Sequence, residues 1–135
     1  MTMMFERVAL IGLGLIGSSL SHIMRREGLA GHIAGFARSE ATRAKAVEIG
    51  LVNSIHATAR DAVVNADLVI LCSPLGTYEE LAREIAPVLK PGAMLTDVGS
   101  VKGAVARDVG PHVPAGVHFV PAHPVAGTEQ SGPES

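Results

Sequence analysis

An apolar run, Val8-Ala9-Leu10-Ile11, passes directly into Gly12-Leu13-Gly14-Leu15-Ile16-Gly17. This junction constrains the fold more than any other feature. A buried strand has to leave its sheet through a tight turn and enter a helix at once. Gly12 permits the turn, Gly14 lets backbone approach a pyrophosphate with no Cβ between them, and Gly17 lets the helix pack closely on the strand. The free N–H groups of the helix's first turn then face the anion. A GxGxxG string alone is a weak signal. The helix phase supports it here, because Ile16, Leu20 and Ile23 fall at i, i+4 and i+7 on one face. Gly12, Leu13, Gly14, Leu15, Ile16 and Gly17 are therefore read as a dinucleotide-binding turn.

Strand and helix patterns alternate along the rest of the chain. Strands are expected at Val8–Ile11, Ile33–Phe36, Val52–Ile55, Leu68–Cys72, Met94–Asp97 and Val117–Val120. Helices are expected at Leu15–Glu27, Glu40–Ile49 closed by Gly50, Asp61–Asn65 as a brief turn, Tyr78–Leu89 and Val101–Val109. Leu68-Val69-Ile70-Leu71-Cys72 is apolar throughout, as a parallel strand buried on both faces is. The alternation predicts an α/β fold with a doubly wound parallel sheet of the Rossmann type. Such sheets bind ligands beyond the carboxyl ends of their strands. The residues just after each strand therefore carry the function: Gly12–Gly17, Ala37-Arg38-Ser39, Ser73-Pro74, Gly99-Ser100 and the stretch from Pro121.

Composition excludes several classes. Charged residues are 18% of the 135, the net charge is −2 and aromatics are 3% with no tryptophan. There is neither a basic footprint nor a stacking platform for nucleic acid, and no apolar run approaches a membrane span. The start, Met1-Thr2-Met3-Met4-Phe5, lacks the basic opening of a signal peptide. The single cysteine, Cys72, cannot form an internal disulfide. A cytoplasmic location is the expectation. No His, Cys or carboxylate spacing suits a metal, so none is expected. The stretch from Pro121 to Ser135 has no apolar periodicity and closes with neither helix nor strand. It reads as a truncation inside a loop, so that residues 1–135 are a dinucleotide-binding domain incomplete at its C-terminal end.

The residue at the end of the second strand chooses the dinucleotide. An NAD-type site places Asp or Glu there, on the ribose 2′-hydroxyl. This chain has Ala37, followed by Arg38 and Ser39, with Arg43 one turn into the next helix. A guanidinium and a hydroxyl suit a phosphate monoester. The competing reading has Arg38 stacking on adenine or simply solvated. NADP is the expected cofactor, with NAD the alternative. Ser73-Pro74 either contacts the cofactor through its backbone or is a plain turn.

The chain resembles the prephenate/arogenate (cyclohexadienyl) dehydrogenases. The resemblance rests on Gly12-Leu13-Gly14-Leu15-Ile16-Gly17-Ser18-Ser19, Asp97-Val98-Gly99-Ser100-Val101-Lys102 and His123-Pro124-Val125-Ala126-Gly127-Thr128-Glu129-Gln130-Ser131-Gly132. The last motif is the specific one. The resemblance implies an oxidoreductase of tyrosine biosynthesis. It would oxidatively decarboxylate prephenate or arogenate, with hydride passing to NAD(P). It also implies a helical domain beyond this chain, through which the complete protein forms a homodimer. The chain alone is accordingly expected to be inactive.

His123 is the catalytic candidate. It lies past the sixth strand on the ligand edge, and a neutral imidazole can accept a hydrogen bond from the substrate hydroxyl. The other five histidines, His22, His32, His56, His112 and His118, are read as structural or solvated, in or beside helix one, in loops or in the last strand. Ser100 either hydrogen-bonds His123 or the substrate, or caps the helix that starts near Val101; both uses are compatible. Lys102 fixes the loop, binds an anion or is solvated. Thr128 and Glu129 match family positions lining the substrate pocket. Prephenate carries two carboxylates, yet from Ser100 onward the permanent cations are Lys102 and Arg107 alone. Further cationic donors are expected from outside the chain. Two rival readings are a β-hydroxyacid dehydrogenase or imine reductase sharing the same first half, and a dinucleotide-binding module without catalysis.

Overall fold

The computed structural model describes residues 5–13, 15–72, 77–98 and 109–120, without the side chains of Leu15 and Ile16. Six strands form one parallel sheet in the order β3-β2-β1-β4-β5-β6. They are β1 Phe5–Ile11, β2 Ala30–Phe36, β3 Ser54–His56, β4 Leu68–Leu71, β5 Met94–Asp97 and β6 His118–Phe119. The helices are α1 Leu15–Glu27, α2 Glu40–Glu48, α3 Ala59–Val63 and α4 Tyr78–Ile85. Short 3-10 turns follow at Ala86–Val88 and Gly110–His112. The doubly wound sheet expected from the sequence is present. The chain builds outward from β1 through β2 to β3, then returns to β4 on the other side of β1.

The two-residue period of a strand divides the core. Val8 and Leu10 join Met24, Ile33, Ala46, Leu51, Leu68 and Ile70 in one cluster, on the side of α1 and α2. Ala9 and Ile11 join Val69, Leu71, Leu81, Ile85 and Leu95 in the other, on the side of α3 and α4. Both faces of the central strands are covered, which is why their sequences read as unbroken apolar runs.

Helix ends follow the local chemistry. Ser39 caps α2 by accepting from the Thr42 N–H at 3.3 Å, and Thr58 caps α3 by accepting from the Asp61 N–H at 3.2 Å. Past α2 the Gly50 N–H donates to the Val47 carbonyl and the Leu51 N–H to that of Ala46. This Schellman pair returns the chain to the core at buried Leu51.

The structure corrects several expectations. Ile23 does not face the core; it is 42% exposed. The described positions of α1 that are buried are Gly17, Ser21 and Met24, and Leu20, as expected, packs against the same core cluster as Met24. Ser21 is fully buried and donates its hydroxyl hydrogen to the Leu51 carbonyl, so a polar residue sits where periodicity alone expects an apolar one. β2 begins at Ala30, which places His32 within a strand, and His56 also lies in a strand. The third strand and third helix shift to Ser54–His56 and Ala59–Val63, and the sixth strand is shorter than expected. The regular part of α4 ends at Ile85 and tightens into a 3-10 turn beside Pro87. Most of the helix expected at Val101–Val109 lies outside the described residues, although Val109 is fully buried.

Candidate functional site

The topology brings the carboxyl ends of the parallel strands, and the described residues that follow them, to one edge of the sheet. β1 lies between β2 and β4, and the strand order reverses there. That reversal opens a crevice beyond the strand ends, where doubly wound sheets bind ligands. Gly12, Ala37, Cys72 and Val98 are the first residues past β1, β2, β4 and β5.

Gly12 turns the chain with φ 103°, a value that disfavours any side chain, while its N–H donates to the Phe36 carbonyl at 2.8 Å. Leu13 packs into the α1/α2 core cluster, with 5% of its surface exposed. Its side chain is therefore a support under the turn, and only its backbone is left to face a ligand. Gly17 allows α1 to start against the strand. A Cβ there would sit 2.5 Å from the Gly12 carbonyl oxygen, closer than real Cβ contacts come. The backbone of Leu15 and Ile16 forms the first turn of α1. Gly14 lies outside the described residues.

The end of β2 presents the residues that the sequence offers for nucleotide choice. Ala37 is buried and contributes no carboxylate. Arg38 and Ser39 follow it, both exposed. The Ser39 hydroxyl is engaged as the α2 cap. The Arg38 Nη2 donates to the Glu80 carboxylate at 2.7 Å. Arg43 turns back from α2, its Nη1 donating to the carbonyls of Ala37 and Arg38 at 2.6 and 2.9 Å. Glu80 and the backbone use of Arg43 were missed by the sequence reading. Glu80 lies 42 residues from Arg38 in the chain, and no local pattern joins the two.

Beside the end of β4, Cys72 and Tyr78 both feel burial and the charge of Asp97. Burial, reinforced by the negative charge of Asp97, pushes the Cys72 thiol up to about 12. Burial thus favours the neutral thiol over the nucleophilic thiolate. The same two causes, burial first, raise the Tyr78 phenol to about 12. Its hydroxyl donates to the Leu71 carbonyl at 3.0 Å and so ties α4 to the end of β4. Asp97, 1% exposed, ends β5 directly before the segment bearing Ser100. Ser73, Pro74, Ser100, Lys102, Arg107, His123, Thr128 and Glu129 lie outside the described residues. Among the described residues no group of three or more His, Cys, Asp or Glu side chains could hold a metal ion. No described helix is long and apolar enough to cross a membrane.

Comparison with known proteins places this edge in a family. The family model described as the prephenate dehydrogenase nucleotide-binding domain matches residues 20–135. The chain belongs to the prephenate dehydrogenase family. It is 37% identical over 131 residues to the cyclohexadienyl dehydrogenase of Zymomonas mobilis, covering 97% of this chain and 44% of that protein. The prephenate dehydrogenase of Aquifex aeolicus, solved with hydroxyphenyl propionate and NAD+, superimposes with a TM-score of 0.79 at 32% identity, over 96% of this chain and 44% of its own. The arogenate dehydrogenase of Synechocystis gives a TM-score of 0.77 at 34% identity, over 90% and 42%. The chain thus spans less than half the length of these prephenate dehydrogenase relatives. The part it spans is their nucleotide-binding domain, in agreement with the resemblance drawn from the three motifs.

Proposed function

We propose that this chain supplies the dinucleotide-binding domain of a prephenate or arogenate dehydrogenase that prefers NADP to NAD. The observation that carries the preference is the end of β2. Buried Ala37 stands where an NAD site needs a carboxylate, and an exposed guanidinium, Arg38, follows at once. An NAD site with a carboxylate would repel a 2′-phosphate; this one has a cation at the mouth of the crevice. The turn at Gly12 and the first turn of α1 would hold the pyrophosphate through backbone N–H groups. Gly14, Ser73 and Pro74 complete that cofactor wall in this reading.

The bound nicotinamide supplies the hydride acceptor. The chain's own residues hold the substrate and move one proton. Neutral His123 accepts the hydrogen bond of the ring hydroxyl and takes its proton as the ring loses hydride and carbon dioxide. Ser100, three residues past β5, orients His123 or the hydroxyl. Thr128 and Glu129 line the substrate pocket. The aromatic product provides the thermodynamic drive, so positioning is the protein's main task.

Residues 1–135 form the cofactor half of this machine. Substrate-carboxylate donors and the dimer contacts are assigned to a helical domain outside this chain. The relatives' greater length supports that division. The test has two parts. Titration with NADP+ and NAD+ should show tighter NADP+ binding. Prephenate and arogenate, each offered with either cofactor to the full-length gene product, should produce reduced nicotinamide with one of the two substrates. Tighter NAD+ binding overturns the cofactor preference, and turnover of neither substrate overturns the reaction.

A further inference from the structure

Glu80 has no part in the reading above, yet it holds the residue on which nucleotide choice depends. Arg38 stands two residues past β2. Glu80 lies in the first turn of α4, the helix that follows β4. β2 and β4 are the two neighbours of β1. The 2.7 Å contact between Arg38 Nη2 and Glu80 Oε1 therefore spans the crevice above the carboxyl end of β1. The contact uses one guanidinium nitrogen and one carboxylate oxygen, and both side chains are more than half exposed, at 56% and 66%. A pair that open to solvent is weak and readily exchanged. The adjacent Glu79 faces elsewhere, toward His112 Nε2 at 3.5 Å. Of the two acids in this turn, Glu80 alone is directed at Arg38.

We propose that Glu80 is a specificity-determining residue whose carboxylate competes with a ribose 2′-phosphate for the Arg38 guanidinium. This rests on the reading of Arg38 as the 2′-phosphate ligand. A phosphate dianion arriving at Arg38 meets a carboxylate already within hydrogen-bond distance of the same cation. It has to displace that carboxylate or accept like-charge repulsion beside it. An unphosphorylated ribose makes no claim on the guanidinium and escapes this penalty. Glu80 thus lowers affinity for NADP+ selectively and moderates a preference that Arg38 alone would make stronger. It does so from a different strand–helix unit, so the two residues can vary independently.

The experiment measures binding of NADP+ and NAD+, and of the fragments 2′,5′-ADP and 5′-AMP, to the unaltered protein and to the Glu80→Gln, Glu80→Ala and Arg38→Ala variants. Thermal unfolding confirms that each variant is folded. Glu80→Gln keeps the shape and removes the charge. It should tighten NADP+ and 2′,5′-ADP by about three- to fivefold, the upper part of the scale of an exposed ion pair, and leave NAD+ and 5′-AMP within about twofold. Glu80→Ala should act in the same direction. Weaker NADP+ binding in both Glu80 variants would mean that Glu80 pre-positions Arg38, and overturns the proposal. So does an unchanged affinity in both, when Arg38→Ala still weakens NADP+. If Arg38→Ala leaves NADP+ binding unaltered, the Arg38 reading itself fails and the Glu80 proposal with it.

Discussion

Arg43 reaches back along the chain to the Ala37 carbonyl oxygen at 2.6 Å. With a second bond to the Arg38 carbonyl it clasps the turn between β2 and α2 from outside. By sequence Arg43 is a possible phosphate ligand one turn into the helix. In the fold one of its guanidinium nitrogens fixes the backbone from which Arg38 projects. Replacing Arg43 with Met keeps most of the stem and removes these donors. We expect a loss of roughly 1 kcal/mol of stability, the net scale of such hydrogen bonds, together with weaker NADP+ binding because Arg38 loses its anchored base. Denaturant unfolding and cofactor titration check both halves.

Arg38→Ala separates the two cofactors. It should weaken NADP+ by roughly 1–3 kcal/mol, the scale of a hydrogen bond to a charged group, and leave NAD+ nearly unchanged. Equal losses for both would show that Arg38 serves the part of the dinucleotide they share.

Gly17→Ala tests the contact between α1 and β1. The added Cβ would lie 2.5 Å from the Gly12 carbonyl oxygen and 3.6 Å from the Cys72 Cβ. The first obstacle is backbone, which cannot rotate away as a side chain can. The helix start has to shift, at a cost of about 1–3 kcal/mol, as for other overpacked sites. Dinucleotide affinity should fall along with stability, because the same shift moves the N–H groups of the turn. Normal binding by a less stable protein would confine Gly17 to packing.

His32, Ser54 and His56 predict a pH dependence. The Ser54 Oγ lies 2.9 Å from Nε2 of each imidazole. Burial and then the positive charge of Arg7 hold both rings below the usual pKa, with His56 adding to the effect on His32 and Asp61 partly opposing it on His56. The unfolded chain binds protons on these rings more readily than the folded one. Their contribution to stability is therefore complete above about pH 6.5, the ordinary histidine value, and is lost as pH falls through it toward the folded values. The unfolding midpoint should drop between about pH 7 and pH 5, and a His32→Gln/His56→Gln double variant should flatten that slope. An unaltered slope would place the acid sensitivity elsewhere.

His123→Ala tests the proposed chemistry in the full-length enzyme. Turnover should fall by about 100-fold or more, as when a positioned general base is removed. Cofactor affinity should hardly change, since Gly12, the α1 turn and Arg38 are left intact. A large loss of cofactor binding with normal turnover at saturation would make His123 structural.

The parallel sheet and the turn that leaves its first strand were legible in the chain. The unbroken runs Val8–Ile11 and Leu68–Leu71, set in a strand–helix alternation, read as strands covered on both faces, and the glycines after the first run dictate how the chain leaves it. These are local properties, written in consecutive residues. Gly50 past the end of α2 was legible for the same reason, because a cap is made within a turn or two of chain, whereas Ser39, read as a phosphate ligand, has its hydroxyl engaged as the cap of α2. The core face of α1 was legible in part, because Leu20 packs against the core cluster while Ile23 is exposed. The burial of Ser21 had no sequence signal, since its acceptor is the Leu51 carbonyl, from beyond α2. The candidate site divides likewise. Ala37 and Arg38 announce themselves by following a strand. That Arg38 meets Glu80, and that Arg43 secures the turn beneath it, was decided by tertiary structure. A salt bridge between strand–helix units on opposite sides of β1 has no sequence period, and exists only once the parallel order has brought β2 and β4 to either side of one strand.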